Sequence, residues 1–100
     1  MNEITTDEVK QLLENKEDVN LLDVREPEEI EQGHIPGIKH IPLGSLEERK
    51  DELSQDQEHV VICRSGNRSG KAVQYLEQHG FNAKNMVGGM LDWNGTVERS

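Results

Sequence analysis

The sequence predicts an α/β domain built on a mainly parallel sheet. Short apolar runs of strand length alternate with segments whose apolar residues recur at helical spacing. The candidate helices begin or end at residues suited to capping, and the clearest strand leads through a short connection into the clearest long helix. At 100 residues, one domain spanning 1–100 is the expectation.

The elements follow in order. Thr5 and Glu8 have the spacing of a capping box, with Ile4 and Val9 placed as its hydrophobic staple, so a helix should begin near Thr6 with Val9, Leu12 and Leu13 on its apolar face. Residues 19–24 read as a short buried strand closed by Asp23 and Arg25. Pro27 can open a helix that runs through Gln32 and stops at Gly33. His34-Ile35-Pro36-Gly37 turns the chain into a brief strand over 38–41, ahead of Pro42. Ser45 and Glu48 suggest a second capping box, on a helix that carries Leu46 and Leu53 and ends near Ser54. Residues 59–63 form the clearest strand. A helix over 68–79 turns Ala72, Val73 and Leu76 inward and stops at Gly80. A last strand over 84–87, a Gly88-Gly89 turn and a short helix over 90–93 complete the chain.

Composition narrows the function. Leu, Ile, Val and Phe make up 24 of the 100 residues, enough to fold but with a thin core. The longest apolar run, 60–63, is far shorter than the roughly 20 residues of a membrane helix. No basic segment followed by an apolar stretch marks a secretory signal, so a cytoplasmic location is expected. The net charge of −9 argues against nucleic acid and anionic membranes as partners. That charge is uneven: residues 1–58 hold 17 acidic and 6 basic side chains, and residues 59–100 hold 3 and 5.

The one cysteine, Cys63, lies in the less acidic part, with Arg64, Arg68 and Lys71 close behind it. In Cys63-Arg64-Ser65-Gly66-Asn67-Arg68-Ser69 the chain leaves a buried strand and enters a helix. Successive backbone N–H groups can then point into one concavity beside a helix N-terminus, which makes an anion nest. Gly66 supplies the freedom for the curl, and Asn67 tolerates positive φ better than most residues. A free thiol with a pKa of about 8.5 is only about 3% ionised at pH 7. Lowering that pKa by about two units takes about 2.7 kcal/mol, within reach of several N–H donors and an arginine. The loop itself would then activate the nucleophile, with no histidine base. The plain alternative is a buried cysteine that ends a strand.

This loop resembles the active-site loop of the rhodaneses, the thiosulfate and persulfide sulfurtransferases. Leu21-Leu22-Asp23-Val24-Arg25-Glu26, Gly33-His34-Ile35-Pro36-Gly37-Ile38 followed by Ile41-Pro42-Leu43, and Gly88-Gly89-Met90-Leu91-Asp92-Trp93 agree with the same family in the same order. Nearly the whole chain is covered, close to the bacterial single-domain type. The resemblance implies a five-stranded, mainly parallel sheet with helices on both faces and a short first strand near Ile4. It implies a ping-pong reaction: the Cys63 thiolate takes a sulfur from thiosulfate or another persulfide donor, then hands it to cyanide or a thiol. It also implies that the amides of Arg64, Ser65, Gly66, Asn67, Arg68 and Ser69 cradle the persulfide, that the Arg64 and Arg68 side chains attract an anionic donor, and that no metal or organic cofactor is required. The chain departs from the family at Ile38-Lys39-His40, where relatives often carry a small residue and Asn.

Cysteine-dependent phosphatases place their loop arginine after five intervening residues, whereas Arg68 follows Cys63 after four, a loop better suited to a sulfane sulfur than to a phosphate. A sulfur carrier loaded and unloaded by protein partners is the alternative role, and a binding module that no longer turns over is a third. Asp23 and Arg25 are expected to have a structural ion-pair role, with each other or with Glu26 and Glu29, rather than to touch the active site; His34 is expected to satisfy backbone groups in its turn, and Trp93 to pack the end of the core. His40, His59 and His79 do not have metal-ligand spacing.

Overall fold

In the computed structural model, which describes residues 2–99, five strands pair in parallel in the order β1-β5-β4-β2-β3. They are β1 (Glu3–Thr5), β2 (Asn20–Asp23), β3 (Lys39–His40), β4 (Glu58–Ile62) and β5 (Asn82–Val87). The helices are α1 (Thr6–Glu14), α2 (Pro27–Gln32), α3 (Leu46–Arg49), α4 (Asn67–Gln78) and α5 (Gly89–Asp92). Each strand is within two residues of its expected place at both ends, and the expected first strand at Ile4 is present.

Strand alternation sorts the core into two layers. Leu22, Val24, Val61, Cys63 and Ala83 face one side, where they meet Leu46 of α3 and Ala72, Val73 and Leu76 of α4. Leu21, Val60, Ile62 and Met86 face the other, against Val9, Leu12 and Leu13 of α1, with Trp93 packed at its end as expected. Neighbours β2 and β4 lead to strands on opposite sides of the pair, so the crevice above their carboxyl ends is the topological switch point, where open α/β sheets hold ligands. Cys63 follows β4 there.

The caps behave differently at two helices. At α1, Glu8 N–H donates to Thr5 Oγ1 at 3.1 Å and Thr5 N–H donates to Glu8 Oε1 at 2.9 Å, the expected reciprocal box. At α3 the expected Ser45–Glu48 box does not form. Pro42 starts a 3₁₀ turn over Leu43–Ser45, and Ser45 N–H donates to Pro42 O at 2.8 Å. Ser45 therefore sits at φ −104°, ψ 0°, already winding, instead of in the extended conformation from which a cap side chain reaches forward. The helix expected to end near Ser54 is likewise shorter, α3 passing at once into a 3₁₀ turn over Lys50–Glu52. Leu46 and Leu53 are nonetheless both buried.

Candidate active site

Cys63 is fully buried at the end of β4, beneath the turn that leads into α4. Gly66, at φ +100°, curls that turn so that its own N–H donates to Cys63 Sγ at 3.0 Å. Asn67 does not take the positive φ that its tolerance suggested; Gly66 absorbs it and Asn67 opens the helix, exposed. The turn is braced from behind by the start of α5: Met90 N–H donates to Cys63 O and Leu91 N–H to Arg64 O, both at 2.9 Å. This close approach requires a glycine at 89. It has φ +57°, and a Cβ there would lie 2.5 Å from the carbonyl oxygens of Cys63 and Arg64.

Ser69 Oγ lies 3.3 Å from Sγ and donates its single proton to Asn85 Oδ1. The Asn85 amide in turn donates to Gly66 O at 3.0 Å. These contacts close a ring from the sulfur through Ser69, Asn85 and Gly66 and back. Across the Ser69–Cys63 contact either atom can be the donor: a hydroxyl that donates to Asn85 can accept the thiol proton, and one that donates to sulfur favours the thiolate. Burial is the largest single influence on Cys63 and pushes its pKa up. The Ser69 hydroxyl and the amides of Ser69, Gly66 and Ser65 together outweigh it and hold the thiol below its ordinary value.

The charged residues divide by whether they are already paired. Asp23 and Arg25, both buried, form the expected structural pair, with Arg25 Nε donating at 3.0 Å and Nη2 at 2.9 Å to the carboxylate. Arg25 Nη2 also donates to Gly33 O. Arg68 is held by Glu29 of α2, Nη1 and Nη2 donating at 2.7 and 2.9 Å, so its charge is not simply open to an incoming anion. That pairing holds the Glu29 carboxyl down to about 2. Arg64 is exposed and makes no side-chain hydrogen bond or ion pair among the described residues. It lines a shallow depression of about 550 Å³ with Arg25, Glu29, Gln32, Gly33, Met90, Leu91 and Val97.

All four histidine rings are engaged elsewhere. His34 Nδ1 bonds Ile30 O, as expected for a residue that satisfies backbone groups, and Nε2 lies 3.3 Å from Glu98 Oε1. The rings of His40, His59 and His79 bond the carbonyls of Arg25, Ser54 and Tyr75. The unusual Lys39-His40 pair is thereby put to structural use, with His40 fixing the Arg25 backbone and Lys39 paired to Glu52 at 2.8 Å. Among the described residues no three His, Cys, Asp or Glu side chains are grouped to hold a metal.

Sequence reasoning passed over Asn85 and the bracing role of Gly89, and weighed Glu29 only as a partner for Asp23 or Arg25, not for Arg68. Asn85 shares the strand face of buried Ala83, so a polar residue there needed partners, and that was its available signal.

The rhodanese-like domain family matches residues 5–96 of this geometry. The chain belongs to the rhodanese-like family. Among its relatives, the Bacillus subtilis protein named "Putative sulfurtransferase YtwF" is 43% identical over 98 residues, covering 98% of this chain and 95% of that one. The B. subtilis "Putative sulfur carrier protein YrkF" is 46% identical over 97 residues, covering 96% of this rhodanese-like chain but only 52% of the relative. A crystal structure of a rhodanese-like domain protein from Staphylococcus aureus superposes with a TM-score of 0.95 at 37% identity, covering 100% of this chain and 99% of that one.

Proposed function

We propose that this protein is a sulfurtransferase of the rhodanese type that carries sulfane sulfur as a Cys63 persulfide. The observation that carries this reading is the convergence on one buried sulfur of donors from Gly66, Ser65 and Ser69, with every histidine ring bonded elsewhere. The thiolate is stabilised by the loop, so the site needs no general base. A relative named as a sulfurtransferase over almost its full length supports the sulfur-transfer role.

In the first half-reaction the thiolate attacks the outer sulfur of thiosulfate. The new Sγ–S bond forms as the S–S bond breaks, and sulfite leaves with the electron pair. Cys63 is left as a persulfide anion whose outer sulfur stands about 2 Å beyond Sγ. Amides of the 64–69 turn would hold that sulfur, and Arg64, at the rim, would attract the donor. In the second half-reaction cyanide or a thiolate takes the outer sulfur, returning the Cys63 thiolate. In this reading the reaction draws on no metal or organic cofactor. No helix among the described residues is long and apolar enough to cross a membrane.

A second reading keeps this chemistry but makes the donor or acceptor a protein. It is favoured by Leu91 and Val97, 62% and 52% exposed beside Arg64, and by the relative named as a sulfur carrier. Intact mass of the reduced protein after thiosulfate, and again after cyanide, tests the first reading. Gain of one sulfur that cyanide removes, and that Cys63→Ser lacks, is the expected result. No gain from thiosulfate, together with gain from a protein persulfide, would replace it with the carrier.

A further inference from the structure

The loop sequence offers two arginines to an anionic donor, but α2 claims one of them. Both terminal nitrogens of Arg68 are bonded to the two oxygens of Glu29, 39 residues away in sequence. The pair is not hidden: the Arg68 and Glu29 side chains are 34% and 27% exposed, and Glu29 lines the depression beside the loop. Glu26 adds further negative potential at Arg68. Arg25, on the same wall, is held by Asp23. Of the three cations, Arg25 and Arg68 are each bonded to a carboxylate, Asp23 and Glu29, and the guanidinium with no carboxylate bonded to it among the described residues is that of Arg64. Met90, Leu91 and Val97 line the depression with Arg64.

Resting on the sulfurtransferase reading, we propose that Glu29 is a specificity-determining residue. By neutralising Arg68 it disfavours dianionic sulfur donors such as thiosulfate and favours a singly charged organic sulfane-sulfur donor, whose charge meets Arg64 and whose apolar body lies on Met90, Leu91 and Val97. Glu29 acts through Arg68 and on the local potential, within the roughly 8 Å over which charges remain effective at physiological salt.

An arenethiosulfonate, R–SO₂–S⁻, separates charge from chemistry. The Cys63 thiolate attacks its terminal sulfur, the S–S bond breaks, and the sulfinate R–SO₂⁻ leaves with the electron pair, giving the same persulfide anion that thiosulfate gives. The donors differ in carrying one charge or two, and in the apolar group. The interaction of a fixed charge with a ligand scales with the ligand's charge, so removing one carboxylate should act about twice as strongly, on a logarithmic scale, on the dianion.

The experiment measures kcat/KM for thiosulfate and benzenethiosulfonate, with cyanide as acceptor, in the full chain and in Glu29→Gln, Arg68→Gln and the double variant. Wild type should prefer benzenethiosulfonate. Glu29→Gln should raise thiosulfate use about tenfold, mainly through KM, and benzenethiosulfonate use only about threefold. The double variant should lose that gain, and added salt should shrink it. Glu29→Ala should reproduce the donor ratio, which separates a charge effect from a misfolded amide variant. Equal changes for both donors, or no rise with thiosulfate, would overturn the charge filter while leaving the sulfurtransferase reading intact. Failure of wild type to form a persulfide from either donor would overturn both.

Discussion

Two neighbouring parallel strands, β2 and β4, end at the same edge of the sheet, and their ends use polar groups in opposite ways. At β2, Asp23 and Arg25 pair with each other: both are buried, and Arg25 Nη2 also donates to Gly33 O. At β4, the backbone turns its donors inward onto a single sulfur, and no charged side chain among the described residues is hydrogen-bonded to it. The first arrangement fixes position. The second stabilises a charge that exists only when the thiol ionises, which is what a nucleophile requires. Adjacent strand ends can therefore be separated into scaffold and chemistry by asking whether their polar groups are already satisfied by one another.

Breaking the scaffold end should have the largest effect. Asp23→Asn leaves Arg25 buried with its charge uncompensated, and removing one partner of a buried pair costs about 3 kcal/mol or more. Urea unfolding should show that loss. The Cys63 alkylation midpoint of the molecules that remain folded should stay close to wild type, because none of the donors to sulfur comes from β2. A variant that unfolds no more easily, or whose midpoint moves with its stability, would show that the two strand ends are one unit.

The chemical end should break next, through its support. Gly89→Ala places a Cβ against the carbonyls of Cys63 and Arg64, and the turn must shift to relieve the clash. A displacement of about 1 Å in a catalytic constellation can lower rates about 10²-fold, and persulfide formation is expected to fall on that scale. The unfolding midpoint should change less than in Asp23→Asn. Near wild-type turnover would mean that the α5 amides do not set the loop.

Both strand ends show in the sequence as far as their contacts are local. Asp23 and Arg25 are two residues apart, and their pairing follows from opposite charge at the end of a buried strand. The loop around Cys63 is equally local, as are the Thr5–Glu8 cap and the Gly33 stop. What the sequence hides is whatever depends on chain segments brought together by the fold. Glu29 reaches Arg68 across 39 positions, and Asn85 reaches Ser69 across 16. The Ser45 cap misleads for a related reason: spacing alone does not report that the 3₁₀ turn from Pro42 has already set the backbone of Ser45. Local pattern identifies the nucleophile; tertiary contact decides which charges around it are available.

The smallest of these effects tests the ring that surrounds the sulfur. Asn85→Asp keeps the shape of the side chain but removes the donor to Gly66 O, holds the Ser69 proton more strongly, and adds a negative charge near the thiolate. All three changes oppose ionisation, so the Cys63 pKa should rise by about one unit. In wild type the native thiol sits below its unfolded value, near 8.5, so between the two values the unfolded chain binds more protons and stability rises with pH. That contribution is complete above the unfolded pKa and is lost as pH falls through the folded one. Asn85→Asp should narrow this window from its acid side, visible both as a higher midpoint in the alkylation rate and as a flatter rise of the urea midpoint over the same range. A midpoint that does not move, or that falls, would assign the thiolate to the Ser69, Gly66 and Ser65 amides and leave Asn85 as a brace for the Gly66 carbonyl.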